Sequence, residues 1–211
     1  MDDATSTINC RLAVPEDKGA LMALMLRVKP PIAGLTSRSI YSAIYTEAVA
    51  RANPIIAIAD VPPSCGGYVI VSTDWTAFWR GFLLRHPILA LQILVTRIWR
   101  KLKSASTTKH SETKIPNAIE TMVAREPSGK TWLQSSATIA KIVHIATSPD
   151  FRGRGVAESL YHYAFTLLRE RGVARVDAMI DLENVASVKL HSKTGWRIER
   201  TENSWFATVD L

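Results

Sequence analysis

A short turn at residues 152–157 combines the residue types that bind phosphate. Gly153 and Gly155 carry no side chains, so successive main-chain amides can converge on an anion at close range. The apolar spacing of residues 158–171 predicts a helix directly after the turn, and the positive end of that helix would point at the same anion. Two arginines within the turn add full positive charges at its rim. The pattern therefore predicts an anion site.

A second group of polar residues follows further along the chain. Asn184 precedes a helical run and is a typical N-cap, and Gly195 is placed to end that run. His191 lies within the run, and His144 lies on a predicted strand before the turn. An imidazole titrates near ~6.5, so either ring can accept or donate a proton near neutral pH. A hydrogen-bonded structural role is the alternative for both histidines.

These two groups resemble the signature of the GNAT superfamily of acyl-CoA-dependent N-acyltransferases. The resemblance covers about residues 138–200. It implies an α/β GNAT fold, with a mixed, mostly antiparallel central sheet flanked by helices and a helical insertion after the third strand. The matching positions are Arg152, Gly155 and Ala157 in the turn, and Asn184, Leu190 and the pair Gly195-Trp196 downstream.

The resemblance also implies how acetyl-CoA, the co-substrate, would bind. Main-chain groups of residues 145–147 would pair with the pantetheine arm like an added strand, and the amides of the turn would hold the pyrophosphate. No metal is implied. The predicted coenzyme-binding residues are Ile145, Ala146, Thr147, Arg152, Gly153, Arg154, Gly155, Val156, Ala157, Glu158 and Asn184.

Departures from the family pattern concern proton transfer. His191 occupies the position at which many relatives carry a tyrosine that is proposed to protonate the departing thiolate. Met179 occupies the position at which some relatives carry a carboxylate base, and Asp177 and Asp181 lie two residues to either side. A primary amine is mostly protonated at neutral pH, so a group must accept its proton before or during attack. The predicted catalytic residues are therefore His191 and His144.

The facing of His144 depends on the regularity of its strand. Strict alternation would place His144 on the same face as Ile142 and Ala146. Relatives with a base on this strand carry it at positions matching Lys141 or Val143. A β-bulge would reverse the facing of His144, and a water chain with no dedicated base is the alternative.

Hydrophobic periodicity and turn residues predict the remaining elements. A single domain is expected over residues 1–211, with a helical and loop insertion at about 74–137. Helices are expected before residue 29, at 38–52, at 158–171 and from Asn184 to 193, and a turn is expected from Pro62-Pro63 to Gly66-Gly67. Strands are expected at residues 8–14, 55–59, 68–72, 138–147, 175–180, 196–200 and 205–209.

Residues 75–103 form an apolar segment with interspersed arginines, and Pro87 is expected to divide it into two helices. The arginines interrupt it too often for a spanning helix, which needs ~20 predominantly apolar residues. Packing over the acceptor cleft, or against a second subunit in a homodimer, is favoured over contact with an anionic membrane surface. Nucleic-acid binding is not expected, because the aromatic residues do not alternate with the arginines as a stacking surface.

The composition is that of an ordinary globular protein. The chain has 211 residues, a formal net charge of +7 and a pI near 9.6, so its surface attracts polyanions in general. Cys10 and Cys65 stand far apart, without metal-ligand spacing, so neither a disulfide framework nor a zinc site is indicated. The first residues lack the basic start and apolar core of a secretory signal. The expected location is the cytoplasm.

The predicted function is transfer of the acetyl group from acetyl-CoA directly to a primary amine of a small molecule, such as an amino sugar. Protein or peptide N-acetylation is one alternative. A non-catalytic acyl-CoA-binding module is another, because His191 and Met179 both depart from the family pattern. Residues 124–131 approach a Walker-type phosphate loop, but no buried strand is predicted directly before them and no long helix after them.

Overall fold

A seven-stranded sheet organises the part of the chain that the structure, a computed structural model, describes: residues 8–28, 38–51, 53–61, 64–91, 95 and 138–211. Its strands are β1 (Asn9–Leu12), β2 (Ile55–Val61), β3 (Ser64–Ser72), β4 (Thr138–Thr147), β5 (Val173–Ile180), β6 (Arg197–Arg200) and β7 (Trp205–Asp210). They lie in the order β1-β2-β3-β4-β5-β7-β6. Every neighbouring pair is antiparallel except β4 and β5, which run parallel. The predicted mixed, mostly antiparallel sheet is confirmed.

Helices cover both faces of this sheet. They are α1 (Lys18–Val28), α2 (Arg38–Val49), α3 (Trp75–Arg85), α4 (Val156–Glu170) and α5 (Val185–Lys193). One apolar core lies between the sheet and α1, α2 and α3, and it includes the fully buried Phe82. A second core lies between the other face and α4, and it includes Leu160. Within the described ranges, no helix is long and apolar enough to cross a membrane.

Most predicted elements are confirmed with small shifts at their ends. The strand at 138–147 and the helix from the Asn184 cap to Lys193 have the predicted bounds. Helix α4 begins at Val156, two residues earlier than predicted. The predicted division at Pro87 is also confirmed, because His86 is not helical and residues 87–91 are helical again. The rest of the insertion, including the Walker-like residues 124–131, lies outside the described residues.

The predicted turn at Gly66-Gly67 is wrong, because both glycines lie inside β3. A Cβ added at Gly67 would lie 2.9 Å from the carbonyl oxygen of Ala146 and 2.9 Å from Cγ1 of Val156. Gly67 is therefore required by the close approach of β4 and of the first residue of α4, and not by a turn. This contact fixes the start of α4 against the sheet.

Candidate active site

Strand β4 separates from β5 halfway along its length. The parallel register ends at Ile142 opposite Ala178, although β4 stays paired with β3 as far as Thr147. Residues 143–147 therefore have no β5 residue opposite them on their outer side. Three of the predicted coenzyme-binding residues, Ile145, Ala146 and Thr147, lie on this open edge. Such an edge can accept an extended ligand that carries its own amide groups.

The predicted anion turn directly follows this open edge. Pro149–Phe151 form a short 3-10 turn, and the chain then enters α4 through Gly155, which is the N-cap residue. Gly153 and Gly155 have φ angles of 76° and 81°, in the left-handed region that favours glycine. A Cβ at either position would meet no protein atom within 4 Å, so the space beside both glycines is open.

The first turn of α4 supplies the amide donors. The hydrogen bond from the amide of Ser159 to the carbonyl of Gly155, at 3.0 Å, is the first that closes a helical turn. The amides of Val156, Ala157 and Glu158 precede it and have no helical acceptor, as at the start of every α-helix. These donors follow the open edge of β4 along the chain, and the positive end of the helix favours an anion beside them.

Residues 152–158 carry three charged side chains, two arginines and one glutamate. The guanidinium of Arg154 lies over the ring of Phe151, 5.5 Å from its centroid, and Arg152 is exposed. The carboxylate of Glu158 forms an ion pair with Lys193 at the end of α5. The negative charge of Glu158 is therefore compensated beside the proposed anion site.

An ion pair also connects the turn to helix α1. Both oxygens of Asp150 accept hydrogen bonds from Arg27, at 2.6 and 2.9 Å. The guanidinium holds the pKa of the Asp150 carboxyl below its usual range. This pair joins residues 123 positions apart, and no sequence pattern indicated it. Arg27 thus neutralises the carboxylate next to the turn.

Asn184 caps α5 as the sequence predicted. Its side-chain oxygen accepts a hydrogen bond from the amide of Ser187 at 3.1 Å, and its own amide donates to the carbonyl of Asp181. The residue is exposed, so its side-chain NH2 group is left for a ligand on the same side. Contact between Asn184 and the coenzyme stays a prediction.

A β-bulge sets the facing of His144. Ile70 pairs with His144, whereas the next residue of β3, Val71, pairs with Ile142, so Val143 is the extra residue. Paired residues share a face, which places His144 with Ile70 towards α1, α2 and α3, and Ile142 on the opposite face. The expectation from strict alternation, that His144 and Ile142 share a face, is wrong because of this bulge.

The surroundings of His144 keep its ring neutral. The ring stacks on Tyr68, with centroids 5.5 Å apart and planes inclined by 19°. Its Nδ1 atom is buried and has no hydrogen-bond partner among the described residues. Burial lowers the pKa of His144 to about 4. The imidazole therefore stays neutral across the physiological pH range.

His191 is enclosed in the core beneath α4. Its Nδ1 atom lies 2.7 Å from the carbonyl oxygen of Ser187, an acceptor, so Nδ1 carries the proton in the neutral ring. Its Nε2 atom then accepts the hydrogen bond from the hydroxyl of Tyr161 at 2.9 Å. Burial lowers the pKa of His191, partly opposed by the bond to Ser187. Both ring nitrogens of His191 are thus hydrogen-bonded within the protein, and its ring contacts the ring of Trp196.

The β5 residues nearest the opening do not supply a free carboxylate. Met179 occupies the position at which some relatives carry a carboxylate base. It is exposed and lies on strand β5 beyond the last pair with β4. Asp177 is buried and accepts from the hydroxyl of Thr208 and forms an ion pair with Arg175. In the described part of the chain, no group of three or more His, Cys, Asp or Glu side chains could hold a metal ion.

The described part of the chain has a mixed α/β fold in which β4 and β5 diverge in front of the glycine turn and the start of α4. The sequence model of the acetyltransferase (GNAT) family matches residues 120–196. The match covers less than half of the chain, and it supports the resemblance to the GNAT superfamily of acyl-CoA-dependent N-acyltransferases that the sequence predicted.

Individual relatives are distant. An uncharacterized N-acetyltransferase of Methanocaldococcus jannaschii is 28% identical over 71 residues, which cover 34% of this chain and 31% of the relative. The match thus spans about a third of the length of that relative.

Solved structures resemble the chain along most of its length. The PaiA N-acetyltransferase of Thermoplasma acidophilum, in complex with coenzyme A, has a TM-score of 0.58 at 10% identity, with 97% of this chain and 99% of that chain covered. The enzyme AAC(6')-Iy, in complex with the bisubstrate analogue CoA-S-monomethyl-acetylneamine, also has a TM-score of 0.58, at 16% identity, with 93% and 95% covered. At these identities the likeness is one of fold.

Proposed function

We propose that this protein transfers the acetyl group of acetyl-CoA to a primary amine within a ternary complex. The observation that carries the proposal is the divergence of β4 and β5 directly before the glycine turn and the start of α4. The pantetheine arm would pair with residues 145–147, and the amides from Gly153 to Glu158 would hold the pyrophosphate. An unpaired amide of the open β4 edge would stabilise the oxyanion as the amine attacks the thioester.

We assign the acceptor to the side of the sheet that α1, α2 and α3 cover. A water-sized apolar cavity of about 10 Å³ there is bounded by Tyr45 of α2 and by Trp75 and Trp79 of α3, and it reaches Ile70. Ile70 is the residue paired with His144. Helix α3 begins the insertion of about residues 74–137 in the single proposed domain. This insertion would therefore determine acceptor specificity.

Release of coenzyme A tests this function. The full chain, incubated with acetyl-CoA and a panel of amino sugars, polyamines, amino acids and peptide amino termini, should release free thiol with at least one small amine. Turnover only with peptides would favour protein acetylation. Saturable binding of acetyl-CoA without turnover across the panel would favour the non-catalytic module. Both thiols of the protein, Cys10 and Cys65, are free, so the assay needs an enzyme-only blank.

His144 is the proposed base. Replacing it by phenylalanine keeps a ring against Tyr68 but removes the basic nitrogen, so kcat/KM should fall about 100-fold, within the range of general-base contributions. The acid limb of the wild-type pH profile should lie near pH 4, where the ring titrates, and not near the ordinary value of ~6.5. His162→Gln, at an exposed histidine of α4, is the matched control and should leave kcat/KM unchanged.

The imidazole of His144 also makes the free energy of unfolding depend on pH. Its folded pKa of about 4 lies below the unfolded value near ~6.5, so the unfolded chain binds more protons between these values. Stability therefore falls on acidification through this window, by about 1–2 kcal/mol between pH 7 and pH 5. Denaturant unfolding at the two pH values should show a smaller drop for His144→Phe than for the wild type. An equal drop would mean that His144 is not buried as a neutral ring.

A further inference from the structure

Strands β5, β7 and β6 form the half of the sheet on the far side of the gap, and only one of its faces belongs to an apolar core. Ala178 of β5 and Ala207 of β7 lie in the core beneath α4. Among the described residues, the core beneath α1, α2 and α3 includes no side chain of β5, β6 or β7. In this part of the chain, no apolar core covers the other face of the three strands.

Three side chains form a row across that other face. Met179 of β5 pairs with Phe206 of β7, and Phe206 pairs with Glu199 of β6. Residues directly opposite each other on neighbouring strands share a face. Met179 is 49% exposed, Phe206 is partly exposed and Glu199 is exposed. These three residues are called the exposed row below.

The exposed row begins at the gap, on the face of the sheet that carries His144. The last pair between β4 and β5 joins Ile142 and Ala178, and both side chains pack in the core beneath α4. Met179 follows Ala178 along the strand and therefore lies on the opposite face, which is the face of His144. His144 and Met179 thus stand on the two sides of the gap.

Glu199 ends the row with an uncompensated negative charge. Its carboxylate makes no ion pair or hydrogen bond with a described residue. The basic side chains near it on this face are neutralised, because Arg197 pairs with Asp210 and Arg175 pairs with Asp177. A cationic group at the end of the row would therefore be attracted by Glu199.

We propose that the exposed row binds the acceptor and that the acceptor is an alkyl amine with a second positive charge, an inference that rests on the proposed acetyl transfer. The reacting amine lies at the gap beside His144. Met179 and Phe206 contact the apolar chain, and Glu199 binds the distal ammonium group. Neighbouring strands lie about 4.8 Å apart, so the row from Met179 to Glu199 spans roughly 10 Å.

Other occupants of the row fit less well. An anionic acceptor would be repelled by Glu199. Lys141, a basic side chain on the same face, lies on β4, three strands away from Glu199. A second copy of the chain would bury the carboxylate of Glu199, which is costly without a charged partner.

Acetylation of diaminooctane, octylamine and diaminopropane by the full chain tests this assignment. Octylamine lacks the second charge, and diaminopropane is too short to place it at Glu199. The wild type should have a kcat/KM at least ~5-fold higher for diaminooctane than for either, as for a strong exposed ion pair. Glu199→Gln should remove this preference by raising KM at unchanged kcat, because Glu199 lies away from the reacting atoms. Glu170→Gln, at an exposed carboxylate of α4 on the opposite face, should keep the preference.

The outcomes separate this inference from the proposed function. Equal use of the three amines by the wild type, or an unchanged preference in Glu199→Gln, would overturn the inference and leave acetyl transfer intact. Binding of acetyl-CoA without acetylation of any amine would overturn the transfer itself. Titration of diaminooctane into the chain saturated with coenzyme A then decides about the row: weaker binding by Glu199→Gln supports it, and equal binding overturns it. A dimer by light scattering that Met179→Asp dissociates would assign the row to a second copy.

Discussion

Replacing Gly155 by leucine should raise the dissociation constant for acetyl-CoA at least ~100-fold, because the side chain would occupy the space in which we place the pyrophosphate. The φ angle of 81° makes any side chain there strained, at a cost of roughly 1–2 kcal/mol, yet an added Cβ would meet no protein atom within 4 Å. The protein should therefore fold and fail to bind. Isothermal titration with acetyl-CoA measures the effect.

Gly172 provides a matched control for this substitution. It follows the other end of α4, has a φ angle of 72°, and is likewise open to solvent on its Cβ side. Gly172→Leu should carry the same backbone strain and the same loss of thermal stability, but unchanged affinity for acetyl-CoA. Equal affinities in the wild type and both variants would show that the pyrophosphate does not lie against this turn.

Replacing His191 by alanine should lower the free energy of unfolding by about 3 kcal/mol. The substitution opens a cavity against Trp196 and leaves the buried hydroxyl of Tyr161 without its acceptor. Denaturant titration measures this loss. If His191 serves to hold α5 against α4, kcat measured well below the unfolding transition should change less than ~3-fold, since a structural role leaves the chemical step intact.

Kinetics separates this role from the predicted acid role of His191. An acid that protonates the thiolate would show, beside the loss of stability, a fall in kcat of ~100-fold or more and loss of the basic limb of the pH profile. Tyr161→Phe is the companion variant, because it removes the hydroxyl that His191 accepts from but keeps the ring packing. It should be destabilising in the structural case and should leave the pH profile unchanged.

The anion turn was predictable because its determinants are local. A left-handed backbone favours glycine, and a helix start leaves its amides unpaired whatever surrounds it, so Gly153 and Gly155 identify the turn from sequence. The Asn184 cap was predictable for the same reason. Gly67 was misassigned to a turn, because its requirement arises from β4 and α4, which approach it only in the folded chain.

The facing and surroundings of both histidines could not be predicted. The bulge at Val143 is set by the pairing of β4 with β3, and nothing in the local sequence fixes its position. The two partners of His191 differ in origin: Ser187 is one helical turn away, whereas Tyr161 is 30 residues away on another helix. The ion pair of Arg27 with Asp150 joins still more distant segments, so charge patterning along the chain does not reveal it.

The early end of the β4–β5 register divides the sheet into two ribbons, β1 to β4 and β5, β7 and β6, that share only the pairs up to Ile142 and Ala178. An extended ligand lying in the gap would connect the two ribbons and would stabilise the folded chain by an amount that rises with the logarithm of its concentration. Amide hydrogens of residues 143–147 should then exchange with solvent more slowly once that ligand is bound.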